Sequence, residues 1–255
     1  MNGLFVDEKV LIPVPFPTKT WEDHGLRFTW KEGGVKPMEE APRLVVGHWT
    51  GGENGGKTVF DVLRNRETKD GRGLSVQLFV DYAGTCWQYS PLLTNCRHAS
   101  GVNPWSIGVE MQSRGVDLGK DTPKKWLERA PRGVFADRMF GKPRSLVYFT
   151  TAQMNTWVQL SLALSSALQI PRQIPGDMSL VNAATEADDS GFVLRDAIAK
   201  DEWSKIRGFI GHYHVHLNNL QDPPKGKLDP GPQPLEELWK EGFDLFYPTR
   251  AFPNR

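Results

Sequence analysis

The sequence predicts a single α/β domain with a central mixed β-sheet flanked by helices. Short apolar runs of strand length alternate with segments whose apolar residues recur at helical spacing. The length of 255 residues suits one large domain with additions, and 19 prolines and 25 glycines indicate many turns. We expect an N-terminal extension over residues 1–40 that packs on a central domain over residues 41–245. The central domain is expected to carry two long surface insertions, near residues 113–147 and 172–205. A C-terminal tail is expected over residues 246–255.

The extension contains four prolines within its first 37 residues, which predicts an extended arm or short strands packed on the main body. A second interpretation stays open, in which Trp21, His24 and Trp30 form part of a binding surface. Residues 44–47 are apolar or small and suit a buried strand. Residues 57–66 then place Val59, Val62 and Leu63 on one face of a helix.

A hairpin is predicted next, because strand-like residues 74–80 and 85–89 flank the turn signal at 81–84. Residues 106–112 form another predicted strand. Its alternation places Ile107, Val109 and Met111 on one side and Glu110 on the other.

The remaining elements lie around the two insertions. The first insertion is basic and rich in turn signals, whereas the second is polar and acidic, with a short helix expected near residues 192–203. Between them, residues 152–168 carry apolar side chains at helical spacing, and Pro171 lies just beyond the predicted helix end. Residues 235–239 suggest a short final helix.

Composition excludes several classes of protein. A formal net charge of +1 argues against a nucleic-acid binder that works through a broad basic face. No apolar run is long enough to cross a bilayer, so membrane insertion is not expected. The first ten residues lack the basic start and apolar block of a signal peptide, which predicts synthesis in the cytoplasm.

Cys86 and Cys96 could pair, but two cysteines do not make a disulfide scaffold.

Histidines stand at two places where chemistry is expected. His48 follows the strand at 44–47 and precedes a glycine-rich loop, and residues 211–216 contain three more histidines shortly before Asp229. Two histidine sites and an aspartate are a sufficient ligand set for catalytic zinc. If residues 212–216 were extended, His212, His214 and His216 would share one face, so spacing leaves the choice among them open.

The order of these features resembles a known family, the zinc-dependent N-acetylmuramoyl-L-alanine amidases related to phage lysozyme-like amidases and peptidoglycan recognition proteins. The resemblance covers residues 43–112 and 150–240. Single dipeptides are weak signals, but the ordered set is specific. It comprises His48-Trp49-Thr50, Leu74-Ser75, Gly84-Thr85, Gln88, His98-Ala99, Asn103, Ser106 to Glu110, Gly211-His212 and Lys227 to Pro232.

The resemblance implies that zinc is held by His48, His212 and Asp229. It favours His212 over His214 because Gly211 precedes His212. Three protein ligands leave one coordination position for water or substrate, and zinc lowers the pKa of bound water towards about 7.

The same resemblance assigns roles to other residues. It implies that Glu110 is the general base and that Lys227 stabilises the negative charge developing on the attacked carbonyl oxygen. Some relatives use a tyrosine where this chain has Val76, so the chain resembles the glutamate-using branch. Expected substrate-binding residues are His98, Trp49 and Asn103.

The implied activity is hydrolysis of the amide between N-acetylmuramic acid and L-alanine in peptidoglycan, with peptidoglycan or a muropeptide as the partner. We expect a phage-type endolysin made in the cytoplasm and acting on the cell wall, a setting that the apparent lack of a leader and of a wall-binding repeat suits. Two alternatives stay open. One is a cytosolic amidase that trims anhydro-muropeptides during wall recycling, and the other is a non-catalytic peptidoglycan-binding protein. The complete ligand set argues for an enzyme.

Overall fold

The computed structural model describes residues 2–52, 55–66, 71–115, 134–140, 142–177, 192–221 and 228–251. Its strands are β1 Gly3–Phe5, β2 Leu11–Pro13, β3 Thr18–Lys19, β4 Lys36–Pro37, β5 Leu44–Trp49, β6 Leu78–Val80, β7 Cys86–Gln88, β8 Thr94–Asn95, β9 Ser106–Met111, β10 Val134–Met139, β11 Lys142–Val147, β12 Gln173–Pro175, β13 Gly208–Gly211 and β14 Asp244–Phe246. The α-helices are α1 Trp21–His24, α2 Trp30–Gly33, α3 Gly56–Asn65, α4 Thr151–Leu168 and α5 Gln233–Lys240.

The central sheet is mixed and has six strands in the order β13-β5-β9-β6-β7-β3, which confirms the predicted fold class. The β13–β5, β5–β9, β9–β6 and β7–β3 pairs are parallel, whereas β6 and β7 form the predicted antiparallel hairpin. Parallel pairing brings the carboxyl ends of β13, β5 and β9 to the same edge. In this register Gly211 lies opposite Gly47, and His48 lies opposite Glu110.

Strand alternation separates the apolar side chains of the sheet into two clusters. Val45 and Val109 pack in a cluster that includes Trp157 of α4, whereas Leu44 and Val46 pack in a second cluster. Helix α4 is the predicted helix at residues 152–168, extended by one residue at its start. Its first turn is closed by a capping box, since Thr150 and Gln153 exchange side-chain to backbone hydrogen bonds of 3.0 Å.

Helix α3 confirms the predicted helix but corrects the face that it buries. Val59, Phe60 and Leu63 are buried, whereas Val62 is 52% exposed. The strand predicted over residues 74–80 is also shorter, because only Leu78–Val80 pairs in the sheet. The short final helix is confirmed as α5.

The N-terminal extension is packed on the body as predicted, and it also contributes to the sheet. Strand β3 pairs with β7 at the sheet edge, and Leu4 of β1 is fully buried in the main cluster. His24 stacks on Trp87 at a ring-centroid distance of 5.3 Å, while Trp30 is 52% exposed. The predicted domain boundaries stay predictions.

The described parts of the two predicted insertions are not confined to the surface, which corrects that expectation. Strands β10 and β11 form a hairpin that buries Met139 and Leu146. In the second segment, Leu194 and Ile198 lie in the second cluster. The helix predicted near residues 192–203 is reduced to a 3₁₀ turn, Lys200–Glu202. Residues 116–133 and 178–191 lie outside the described part of the chain.

The structure also describes the surroundings of the two cysteines and the character of the helices. Cys86 and Cys96 are buried and free, so they do not pair in this structure. Burial raises the pKa of the Cys96 thiol to about 12. Over the described ranges, no helix combines the length and the apolar character that a bilayer span requires.

A buried ion cluster ties these additions to α5. The Arg195 Nε group lies 2.7 Å from Asp137 Oδ1 on β10, and a second guanidinium nitrogen lies 2.7 Å from Glu236 Oε1 on α5. Two carboxylates therefore share one guanidinium. Burial raises the pKa of Glu236 from about 4.5 to about 7, against the attraction of Arg195.

This cluster predicts a pH-dependent stability. Because the folded-state pKa of Glu236 is raised, its stabilising contribution is complete below pH 4.5 and is lost as pH rises through about 7. Glu236→Gln keeps an oxygen for Arg195 and removes the charge. We expect the variant to gain on the order of 2 kcal/mol of unfolding free energy over wild type between pH 5 and pH 8, measured by denaturant titration. The neighbouring Glu237→Gln is the control, and an unchanged difference between Glu236→Gln and wild type would contradict the prediction.

Candidate active site

Three buried side chains from distant parts of the chain meet at one edge of the central sheet. His48 lies near the end of β5, His212 directly follows β13, and Asp229 lies in the turn before α5. The Nδ1 atom of His48 lies 3.3 Å from Oδ2 of Asp229, and Nδ1 of His212 lies 3.2 Å from the same oxygen. One carboxylate oxygen therefore faces two imidazole nitrogens.

The geometry of this cluster fits zinc. Two histidines and a carboxylate are a known catalytic zinc ligand set, and tetrahedral bonds near 2.0–2.1 Å place ligand atoms about 3.3 Å apart. The two measured separations match that value, and the three offered atoms all lie within 4.8 Å of one another. Each residue is at most 5% exposed. The structure thus brings together the three residues that the resemblance implied as ligands.

The structure also separates His212 from the other late histidines. Residues His212–Val215 form a 3₁₀ helix rather than a strand, so the three histidines do not share one face. His214 is buried among backbone groups, with Nε2 3.0 Å from the Leu194 carbonyl oxygen, and burial lowers its pKa to about 4. His216 accepts a hydrogen bond from the Asn218 backbone N–H instead. His212 is the one of the three in the candidate metal cluster.

A second layer of contacts supports His48. Its Nε2 lies 3.1 Å from Nδ1 of His98, and Nε2 of His98 lies 3.2 Å from the Ser106 hydroxyl. If Nδ1 of His48 binds a cation, its Nε2 carries the proton and donates to His98, whose own Nε2–H then donates to Ser106. Burial lowers the pKa of His98 well below its usual value, which keeps that ring neutral.

Two further residues hold His98 in place. The side-chain oxygen of Asn103 accepts hydrogen bonds from the backbone N–H groups of His98 and Ala99, at 3.2 and 2.7 Å. The His98 ring lies directly over Gly108, where a Cβ atom would approach the ring to 2.6 Å. Glycine is therefore required at this position of β9. Through these hydrogen bonds Asn103 supports the backbone at His98. Its predicted role in substrate binding stays a prediction.

Glu110 lies on the neighbouring strand, opposite His48 in the parallel register. As predicted, alternation points its side chain away from Val109 and Met111, which lie in the main core cluster. Glu110 is 8% exposed and lines the same cavity as His48 and Asp229. A carboxylate at this position can exchange protons with a group bound in the cavity.

Of the two remaining predicted site residues, Trp49 belongs to the described part of the chain and Lys227 does not. Trp49 is half-buried at the cavity wall, and its ring packs so closely on Gly115 that a Cβ there would lie 2.3 Å from it. Lys227 lies outside the described residues.

The cluster opens into a groove with two lobes. The first lobe, a cavity of about 270 Å³, is lined by His48, Asp229 and Glu110 beside an apolar wall from α3. The second lobe, of about 460 Å³, extends past His212 to His216 and Asn218. Both lobes are lined by Arg66, Leu74, Arg97 and His98, so the groove is continuous across these residues.

Sequence reasoning missed three residues of this site. Ser106 was noted as the start of a strand and as part of the ordered motif, without a role at the site, although its position two residues before Gly108 places it under the His98 ring. Arg66 and Arg97 were not singled out, because arginines are usually surface residues. The adjacency of Arg97 to His98 was the available signal.

Comparison with known proteins identifies the class of this chain. A family model described as N-acetylmuramoyl-L-alanine amidase matches residues 38–232. The protein is therefore an amidase by class. It belongs to the N-acetylmuramoyl-L-alanine amidase family, whose members act on peptidoglycan, and this confirms the resemblance seen in the sequence.

Comparison with solved structures found similarity at low sequence identity. The chain is 15% identical to an endolysin N-acetylmuramoyl-L-alanine amidase from Clostridium intestinale, with a TM-score of 0.47, covering 90% of this chain and 96% of that one. It is 12% identical to the Drosophila peptidoglycan recognition protein SA, with a TM-score of 0.49 and coverage of 91% and 96%. A comparison with curated protein sequences found no match.

The contact between His98 and Ser106 leads to a prediction for metal affinity. Ser106→Ala removes the group that orients His98 and, through it, His48. We expect zinc affinity to fall by about 10- to 100-fold, as for other supporting contacts of metal ligands. Competition with a chromogenic chelator measures the affinity. Ser161→Ala, which alters a buried serine on α4, is the control, and equal affinities of Ser106→Ala and wild type would refute the role of this contact.

Proposed function

We propose that the protein is a zinc-dependent amidase that hydrolyses the amide between N-acetylmuramic acid and L-alanine. The observation that carries the proposal is the buried cluster of His48, His212 and Asp229, at the edge of the sheet in a chain of this family. These residues would hold a zinc ion, which when bound would act as a Lewis acid towards the scissile carbonyl and lower the pKa of water to about 7.

The remaining steps fall to residues of the chain. Glu110 accepts a proton from the attacking water as the oxygen–carbon bond forms, and it delivers a proton to the alanine nitrogen as the carbon–nitrogen bond breaks. Its position opposite His48 and its place in the first lobe support this role. Lys227 is proposed, from the sequence resemblance, to stabilise the negative charge on the carbonyl oxygen.

The chain also supplies binding and shielding. The apolar wall of the first lobe, which includes Val59, Val62 and Leu63, excludes water from one side of the scissile bond. Val62, which is exposed on α3, forms part of this wall. We include Trp49 among the substrate-binding residues because its ring forms part of the same lobe.

We further propose that the protein acts on intact wall peptidoglycan as a phage-type endolysin, made in the cytoplasm and acting on the cell wall. The sequence resemblance supports this setting. Comparing hydrolysis of intact walls with hydrolysis of soluble anhydro-muropeptides tests it. A marked preference for the soluble substrates would favour the recycling amidase instead.

The bond that is cut provides the direct test of the activity. Digestion of purified peptidoglycan should release new free amino groups on L-alanine without new reducing sugar ends. Activity should be lost with a zinc chelator and restored by added zinc. New reducing ends, or full activity in a protein shown to be free of metal, would overturn the proposal. Zinc binding without hydrolysis would indicate the non-catalytic alternative.

Substitutions separate metal binding from proton transfer. His48→Ala and Asp229→Ala should lose bound zinc and activity together, because each removes a ligand from the cluster. Glu110→Gln keeps the shape of the side chain and all three ligands, so we expect it to retain zinc while turnover falls about 10²- to 10⁴-fold. Metal analysis and dye release from labelled walls measure the two properties. Wild-type turnover in Glu110→Gln would exclude its role.

A further inference from the structure

We infer that the exposed indole ring of Trp30 binds a sugar ring of the glycan strand, at the rim of the groove beyond Arg97. This inference rests on the proposed function and adds to it a second contact with the substrate, outside the metal site. It predicts that the protein binds polymeric peptidoglycan more tightly than a single muramyl peptide, which is too short to reach the rim.

Trp30 is a large apolar side chain that the fold leaves in solvent. It is 52% exposed, and among the described large apolar residues that are exposed it is the one tryptophan. Its neighbours Phe28 and Val35 pack in an apolar cluster, whereas Trp30 belongs to none of the clusters that the described residues form. A single exposed apolar residue is ordinary on a protein surface. What distinguishes Trp30 is how its ring is held and where it lies.

The ring of Trp30 is held with one face covered. The guanidinium carbon of Arg72 lies 4.1 Å from the ring centroid, which is within the range of a cation–π contact. Since one face is covered and half of the residue is exposed, the opposite face is the one that meets solvent.

The backbone under the ring is also fixed. The Gly34 N–H donates to the Trp30 carbonyl oxygen at 3.1 Å. The Ser75 hydroxyl donates to the Gly33 carbonyl oxygen at 2.8 Å, which ties α2 to the segment that follows α3. A flat apolar surface is thus in place before any ligand arrives, and this lowers the entropy cost of binding.

Trp30 lies next to the groove. Gly34 has a φ of +63°, and a Cβ atom there would lie 2.5 Å from the Arg97 side chain and 3.3 Å from that of Arg72. The two arginine side chains therefore pack at the same glycine. Arg97 lines both lobes of the groove, and Arg72 stacks on Trp30. The surface is continuous from the groove, past these two side chains, to the exposed indole.

The structure narrows the binding surface that the sequence left open in the N-terminal extension. Trp21 packs on Phe5 at a ring-centroid distance of 4.8 Å, and His24 stacks on Trp87 at 5.3 Å. Trp21 and His24 are both partly buried in these contacts, whereas Trp30 is exposed. Of the three candidates, Trp30 is the one whose ring is open to a ligand.

The chemistry of the indole selects a sugar. A pyranose ring presents C–H groups on its faces, and such a face stacks on the flat apolar surface of an indole. The stem peptide carries ionised carboxyl groups, which lose hydration against an apolar face. The scissile amide joins muramic acid to alanine, so with this amide in the first lobe the glycan strand leaves the groove at one end. A sugar of that strand is the occupant that fits the rim.

The direct test uses glycan strands free of peptide, in which N-acetylglucosamine alternates with N-acetylmuramic acid. An amidase cannot cleave them, so their binding to the zinc-loaded protein can be measured at equilibrium by calorimetry. We expect Trp30→Ala and Trp30→Leu to weaken binding about 3- to 10-fold, as for the loss of other aromatic contacts. Trp30→Phe should keep most of the affinity because a flat ring remains. Trp30→Leu retains an apolar side chain beside Arg72, so it tests the site even if Trp30→Ala fails to fold.

Hydrolysis gives a second readout, which a purely structural role would not produce. For Trp30→Ala, kcat/KM should fall about 3- to 10-fold on polymeric peptidoglycan and match wild type on a single muramyl peptide. Tyr247→Ala is the matched control, because Tyr247 is an aromatic residue that is 42% exposed and lines neither lobe. It should behave as wild type on both substrates.

The outcomes separate this inference from the proposed function. Equal glycan affinity in wild type, Trp30→Ala and Trp30→Leu, or no binding of glycan strands by wild type, would overturn the role of Trp30 while the amidase activity stands. Weaker binding of free stem peptides to Trp30→Ala, with glycan binding unchanged, would assign the indole to the peptide and overturn it too. Glycan binding that depends on Trp30, without cleavage of peptidoglycan, would overturn the proposed function and leave this site in place.

Discussion

The buried carboxylate of Asp229 between two imidazoles is the constraint on which the rest of the structure depends. An ionised carboxylate removed from water costs several kcal/mol unless a positive charge or several hydrogen bonds offset that cost. The two imidazole nitrogens offset part of that cost, and a divalent cation held by the three side chains would offset more of it. Binding of such a cation would be linked to folding, since the three side chains converge only in the folded chain.

Backbone structure on both sides of the sheet maintains this convergence. The parallel register of β13, β5 and β9 aligns the strand ends that carry His48, His212 and Glu110. The Asp229 turn is attached independently, because its carbonyl oxygen accepts from the Tyr213 N–H at 3.0 Å. Just beyond this turn, the Trp157 indole of α4 donates to the Pro234 carbonyl oxygen at 2.9 Å. The core helix therefore holds the third ligand in the same frame as the sheet.

The spacing of apolar residues along the sequence predicted the helices and strands that bury one face against the core. The periodicity of residues 152–168 and the alternation of residues 106–112 were confirmed as α4 and β9, because each buries one face against the core. The ligands were predicted from an ordered motif. Burial of Leu194 and Ile198 was missed because no period marks them, and the pairing of β3 with β7 joins segments far apart in the chain. Contacts such as Ser106 to His98 depend on loop conformation, which spacing alone does not reveal.

The segment from Arg97 to Asn103 links the two lobes of the groove in one rigid unit. One end is bonded to Ser75 through both backbone groups, and the other is held by the Asn103 side chain. Between these ties lies His98, in contact with His48. These ties hold His98 at a fixed position beside His48 without any closing motion. A site whose supporting side chains are already in place loses less free energy to reorganisation when a substrate is oriented in it.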